Sequence, residues 1–235
     1  VVEAPHAGRD RDETIDPSGS RTTRRAGQRR RSRGDLVAAA LGILDDRGLA
    51  DLTMRALASS VGVQASALYW HFPNKQALLA AVADEIVAAA EPRIRATTAP
   101  SDDRRGRLAA TATALRGALF AVKDGAEVVA STVALGHGQG RAHAYLVDAV
   151  MGEPGDRTDP AAARASAVAA SILHFLLGHV AHEQQRLQAE LLGADLEPGA
   201  FTADEASFAF GLGLLLDGVD ALGAEASEPL RARRS

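Results

Sequence analysis

The stretch LTMRALASSVGVQASALYWHFPNKQALL, residues 52–79, constrains the fold more than any other part of the chain. Thr53 stands where a helix N-cap belongs, with Leu52 before it and Leu57 inside as a hydrophobic staple, which predicts a short helix over Met54–Ser60. Val61-Gly62-Val63 then makes a tight turn, because Gly62 can take the left-handed conformation that ends one helix and frees the chain for the next. Gln64–His71 forms the following short helix. Pro73-Asn74 stops it, Asn74 caps a longer fourth helix through Glu91, and Pro92 kinks or ends that one. Neither short helix is long enough to persist alone, so the pair must pack as a unit.

A positioning helix, a Gly-containing turn and a short polar-faced second helix are the parts of a DNA-reading helix-turn-helix. On the second helix Ala67 and Leu68 supply packing. Gln64, Ser66, Tyr69, Trp70 and His71 leave hydrogen-bonding and aromatic edges for a major groove and its phosphates. Thr53 and Arg55 join them from the first helix, Arg55 with the fork that suits guanine. Lys75 lies at the start of the fourth helix, where an ammonium and free N–H groups both favour a phosphate. The competing reading is an ordinary helical corner. An exposed Tyr-Trp-His cluster on so short a helix argues instead for an external partner.

The rest of the chain reads as all-α, with an N-terminal three-helix head and a C-terminal helical body. Ser32 and Asp35 form a capping pair for a first helix whose apolar stripe is Leu36, Val37, Ala40, Leu41 and Leu44, and Gly48 ends it. Helical pattern resumes from Asp103 to Val122, breaks at Asp124-Gly125 and pauses at Gly136–Gly140. Asp159-Pro160 opens a helix to about Leu192, a span of about 50 Å. The last helix starts on a Thr202/Glu205 capping box and is apolar almost all round. Such a helix must be covered on more than one side, and its glycines allow a second backbone to come close. Ile172, Phe208, Gly211, Leu212, Leu215 and Val219 are therefore the expected homodimer contacts, with a central core helix within one subunit as the alternative. The expected organisation is a disordered Arg-rich arm over 1–31, the head over 32–79 with its fourth helix continuing to about 95, a ligand-binding and dimerisation domain over 96–225, and a tail over 226–235.

Charge is divided unevenly. The chain carries a net −4, yet residues 1–34 hold nine Arg against five acids, so the remainder is acidic at 17 basic against 25 acidic groups. A basic arm on an acidic body can touch DNA phosphates, here through Arg29, Arg30 and Arg31, or can be a passive tail. The chain has no cysteine, which removes disulfides, thiolate catalysis and cysteine-based zinc sites together. No signal-peptide core or uninterrupted apolar span is visible, so the expectation is a cytoplasmic protein with no membrane partner. Neither a G-x-S-x-G elbow nor an H-E-x-x-H metal helix occurs, and the expectation is not an enzyme. His174, His179 and His182 invite a metal reading, but their spacing does not converge all three from one helix, and no metal or cofactor is expected. The Gly136–Gly140 run matches neither phosphate-binding fingerprint and reads as a loop.

The motifs LTMRALASSVGV and LYWHFPNKQALL, in that order and spacing, resemble the TetR family of regulators. DGAEVVAST (124–132), HFLLGHVAHEQQ (174–185) and FAFGLGLLLDGV (208–219) extend the likeness to the C-terminal domain of the family's tetracycline-repressor branch, over about four-fifths of the chain. The resemblance implies a homodimer that holds double-stranded operator DNA and releases it when a small molecule enters the C-terminal domain. An activator on the same fold, or a non-specific architectural DNA-binding protein, is the alternative. It also implies ligand contacts at Val129, Thr132, His174, Leu177 and His182. In that branch a metal-binding His stands where this chain has Val129, and a Glu from the partner subunit stands where it has His182. The expected inducer is therefore not a magnesium–tetracycline chelate but a largely apolar small molecule held by a few polar anchors.

Overall fold

The structure, a computed structural model, describes residues 31–97, 103–137, 140–152, 160–195 and 203–231, and among them there are helices and no strand. The head is built from α1 (Arg33–Arg47), α2 (Met54–Val61), α3 (Ala65–Leu68) and α4 (Lys75–Ala88). Its boundaries follow local chemistry. Ser32 and Asp35 close a reciprocal capping box on α1, Thr53 accepts from the Ala56 N–H, and Asn74 accepts from the Ala77 N–H. Gly62 is left-handed at φ +70°, which turns α2 into α3. Leu36, Leu44, Leu57, Leu68, Phe72 and Leu78 lock these helices into one fully buried core, and the Arg33 guanidinium covers the Phe72 ring at 4.6 Å.

The fourth helix is shorter than the sequence suggests. It ends at Ala88, and a separate α5 (Glu91–Thr97) follows, with Pro92 as its second residue. Proline has no N–H to donate and disfavours a helical conformation in the residue before it, so it is accommodated in the first turn of a new helix rather than inside the old one.

The body comprises α6 (Arg104–Phe120), α7 (Gly125–Ala134), α8 (Arg141–Met151), α9 (Pro160–Leu191) and α10 (Glu205–Arg231). The 165–182 stretch of α9 contains no Asp, Glu, Lys or Arg, and the helix is long and apolar enough to cross a membrane by length and composition alone. Its packing explains that composition. Ala169, Ile172, Leu173, Leu176, Leu177 and Val180 are buried in the hydrophobic core, and the helix touches α6, α7, α8 and α10. Gln184 near its end donates to the carbonyls of Leu119 and Val122 at 3.2 and 2.7 Å, fixing the corner between α6 and α7. Gly125 is required at that corner, because a Cβ there would collide with the Leu119 carbonyl.

One expectation needs correction at α10. The helix begins at Glu205 and is capped by Asp204, whose carboxylate accepts from the Ser207 N–H at 2.8 Å while the Ser207 hydroxyl accepts from the Asp204 N–H at 2.9 Å. The Ser207 N–H, above all, holds the Asp204 carboxyl below its ordinary range. Thr202, the expected cap, lies outside the described residues, as do Asp159 and the segment 1–30 with Arg29 and Arg30. Within the protomer only one side of this helix is covered. Phe208, Leu212 and Leu216 are buried on one face at 4-residue spacing, while Phe210, Leu214 and Leu222 are 71%, 58% and 49% exposed on others.

Candidate DNA-reading face and ligand cavity

The recognition segment separates its residues cleanly. Leu68 and Phe72 point into the head core, and between them Tyr69, Trp70 and His71 stand in solvent, Trp70 at 90% exposure. Gln64 and Ser66 are exposed on the same short element, as are Thr53 and Arg55 at the start of α2. Lys75 is half-buried in the first turn of α4. Arg31, the last residue of the expected arm, is exposed. Ala67 differs from expectation: it is exposed and adds a small patch to the outward face, while Leu68, with the partly buried Ala65, packs α3 on the core. The Tyr69-Trp70-His71 cluster is thus bracketed by two side chains locked inward, Leu68 and Phe72.

The head meets the body along α4 and at the end of α1. α4 packs against α7, and it brings Ala83, Asp84 and Val87 to the wall of a cavity in the body. The second link lies at the end of α1, where the Leu49 N–H donates to the Asp124 carboxylate at 2.7 Å and the Lys123 N–H to the Asp45 carboxylate at 3.4 Å. Asp124 adopts a left-handed φ of +57°, a conformation Asp tolerates better than most residues. Gly48, at φ +85°, has no room for a side chain because a Cβ would lie 2.7 Å from that same carboxylate. Sequence reasoning missed this latch, and only the paired Gly48 and Asp124-Gly125 breaks hinted at it.

The cavity, about 240 Å³, is bounded by α4, α7, α8 and α9 together with Gly136, His137 and Gly140. Val129 and Thr132 line it from α7 and His174 from α9. The Thr132 hydroxyl donates to the Val129 carbonyl at 2.8 Å, which commits its proton. Leu177 and His182 are not part of the lining. Leu177 is buried in the core and His182 is exposed, about 12 Å further along α9 from His174. The residues missed by sequence reasoning are Asp84, His137, Arg141 and His143. Asp84, Arg141 and His143 are half-buried and His137 is exposed at the rim, and no local pattern marks any of them as lining. The three α9 histidines diverge: His174 reaches the cavity, while His179 is buried between Phe175 and Phe208 with its Nε2 3.1 Å from the Asp204 carbonyl. Among the described residues no group of three or more His, Asp or Glu is placed to hold a metal ion.

A third surface runs along α9 and α10. Ile172, Leu215 and Val219 border an apolar groove with Val168, Leu214 and Leu222. Phe208 and Leu212 lie instead on the face of α10 that is buried within the protomer. Gly211 serves the protomer's own packing, because a Cβ there would lie 2.7 Å from the Phe175 ring.

Comparison with known proteins places this geometry among regulators. The profile of a family described as bacterial regulatory proteins, tetR family, matches residues 36–82. The tetracycline repressor protein class A from transposon 1721 of Escherichia coli is 43% identical over 97 residues, 41% of this chain and 44% of that protein, so the match spans less than half of that relative. The class E repressor of Escherichia coli is 32% identical over 202 residues, covering 82% of this chain and 92% of that protein. Among solved structures, Mycobacterium smegmatis BioQ is 39% identical with a TM-score of 0.68, covering 81% of this chain and 98% of that one. BioQ bound to its double-stranded DNA operator is 37% identical with a TM-score of 0.61, over 80% and 96% of the two chains. A single-substitution variant of TetR from Acinetobacter baumannii AYE, in complex with minocycline, is 30% identical with a TM-score of 0.63, over 81% and 97%.

Proposed function

The chain belongs to the TetR family of bacterial regulatory proteins, and from that membership we propose that it is a cytoplasmic, homodimeric repressor whose hold on operator DNA is broken by a small molecule in the body cavity. The observation that carries the reading is the outward Tyr69-Trp70-His71 cluster, fixed by the buried Leu68 and Phe72 on either side. In this reading α3 enters the major groove, with Gln64, Ser66, Tyr69, Trp70 and His71 at base edges and phosphates. Thr53, Arg55 and Lys75 hold the flanking backbone. Similar proteins support both halves: one carries DNA in its structure and another carries minocycline.

Dimerisation places two such heads on one duplex. The partially exposed apolar groove of α9 and α10, with Leu214, Leu215, Val219 and Leu222, is the surface proposed to meet its copy, because burying it in a like groove removes the exposed apolar side chains from both. Two heads then address successive major grooves about 34 Å apart.

Release needs a difference in affinity between two arrangements. α4 has its first turn beside the recognition segment and its last turns on the cavity wall, so a ligand that shifts α4 shifts the head. The Leu49–Asp124 latch forms a second lever, since α7 continues from it to Val129 and Thr132. A ligand that binds the released arrangement about a hundredfold better supplies about 2.7 kcal/mol of coupling. The cavity binds and releases its ligand without turning it over.

The test is binding of the purified protein to the DNA upstream of its own gene, compared with scrambled DNA at about 0.15 M salt, where non-specific attraction is damped. Selective binding supports the reading. Equal binding to both DNAs favours a sequence-independent DNA coat and removes the repressor proposal for that site.

A further inference from the structure

We infer that the operator bases beneath α3 are A·T pairs, with Gln64 reading an adenine and Ala67 a thymine methyl group, which makes Ala67 a specificity-determining residue. The inference rests on the reading of the head as an operator-binding unit and adds which bases that unit selects.

α3 turns Ala65 and Leu68 onto the head core, so Ser66 and Ala67 stand on the opposite, exposed side. The Ala67 N–H donates to the Gln64 carbonyl at 2.9 Å, which sets Gln64 one turn before Ala67. Side chains three apart on a helix are neighbours, and the exposed Gln64 amide therefore flanks the Ala67 methyl. Gln64 stands at the N-cap of α3, yet its side chain makes no capping hydrogen bond. Its carbonyl and NH2 stay available to a base.

Major-groove edges sort by the side chain that fits them: an arginine or lysine fork for guanine, a carboxylate for cytosine, an amide for adenine and a small apolar group for the thymine methyl. From Ala56 to Asn74 the chain has no Lys, Arg, Asp or Glu, and the nearest cations, Arg55 and Lys75, stand on α2 and α4. His71 could address a guanine, but it lies three residues past the end of α3. The element therefore presents the Gln64 amide and the Ala67 methyl, with Ser66 between them as a hydroxyl that suits any base. An alanine also lets the helix come closer to the base edges than a longer side chain would, and a contact between two methyl groups needs that approach.

Selection of duplexes from a randomised library by the full-length protein supplies the probe, and fluorescence anisotropy on the enriched half-sites reads the binding. Replacing each thymine in turn by deoxyuridine removes one methyl and nothing else. At one thymine in each half-site the replacement weakens binding about fourfold, and about fifteenfold when made in both half-sites. Ala67→Gly loses about as much on the thymine operator and nothing more on the deoxyuridine one, a pattern that a merely structural role for Ala67 does not give. Gln64→Ala loses at least about fivefold, and is blind to 7-deazaadenine at the adenine it reads. Melting curves check that both variants are folded, and the deoxyuridine series on the parent protein needs no variant. Deoxyuridine tolerated at every thymine overturns the inference, as does a deoxyuridine penalty that persists unchanged in Ala67→Gly. So does selectivity that Gln64→Ala loses at a G·C pair. These three outcomes leave the operator reading intact, whereas a library that enriches no sequence removes that reading and the inference with it.

Discussion

Replacing Asp124 isolates the latch between head and body, and three substitutions separate its two contributions. The carboxylate accepts the Leu49 N–H at 2.7 Å in a part-buried setting, a charge-assisted bond worth about 1.5–3 kcal/mol to its donor. The residue also occupies a left-handed conformation at φ +57°, which costs an alanine about 1–2 kcal/mol. Asp124→Ala therefore loses both and destabilises by about 2.5–5 kcal/mol. Asp124→Gly loses the bond but relieves the backbone, and the extra freedom of its unfolded chain offsets part of that relief, leaving about 1.5–3 kcal/mol. Asp124→Asn keeps an acceptor and tolerates the conformation, so it costs about 0.5–1.5 kcal/mol. Urea unfolding at one protein concentration, which fixes the dimer's contribution, gives the three values. Hydrogen exchange at the Leu49 amide accelerates in the same order if the latch opens locally. Alanine and glycine variants of equal stability would refute the strain argument. All three within about 0.5 kcal/mol of the parent would refute the latch.

Trp70→Ala leaves stability within about 0.5 kcal/mol, because the side chain is 90% exposed, yet it weakens operator binding at least about tenfold; thermal melts and gel shifts read the two separately. Phe72→Ala, two residues away and fully buried, costs about 3–5 kcal/mol of stability in the same melts. Leu214→Asp, at an exposed position on the α9–α10 groove, shifts sedimentation from dimer to monomer and removes tight operator binding while helix content stays unchanged. Glu183→Ala strands the Arg116 guanidinium, which it meets at 2.7 and 2.8 Å with both side chains largely buried, and lowers stability by about 3 kcal/mol in urea unfolding.

The head was legible in the sequence because its boundaries are set by chemistry a few residues apart. Ser32 with Asp35, Thr53 with the Ala56 N–H, Gly62 and Asn74 each act within one turn. The limits of legibility follow distance along the chain. Asp124 meets Leu49 across 75 residues and Gln184 meets Val122 across 62, and no local pattern announces either pair. α10 shows a different limit, since apolar residues around its whole circumference hide which face turns inward. The spacing of Phe208, Leu212 and Leu216 marks that face, but Phe210, Leu214 and Leu215 fill the gaps between them with equally apolar side chains. In the cavity, the resemblance located Val129, Thr132 and His174. It did not locate Asp84 on α4, His137 beside the glycine-rich break, or Arg141 and His143 on α8, polar residues that only the packing of distant segments brings to one cavity.

The most direct test of the central claim is a nuclease footprint of the protein on the DNA upstream of its gene, with Trp70→Ala alongside. Two symmetric protected half-sites are expected, centred about one helical turn or about 34 Å apart, and they vanish in the Trp70 variant. Uniform protection along the fragment, or half-sites that survive the loss of Trp70, would contradict it.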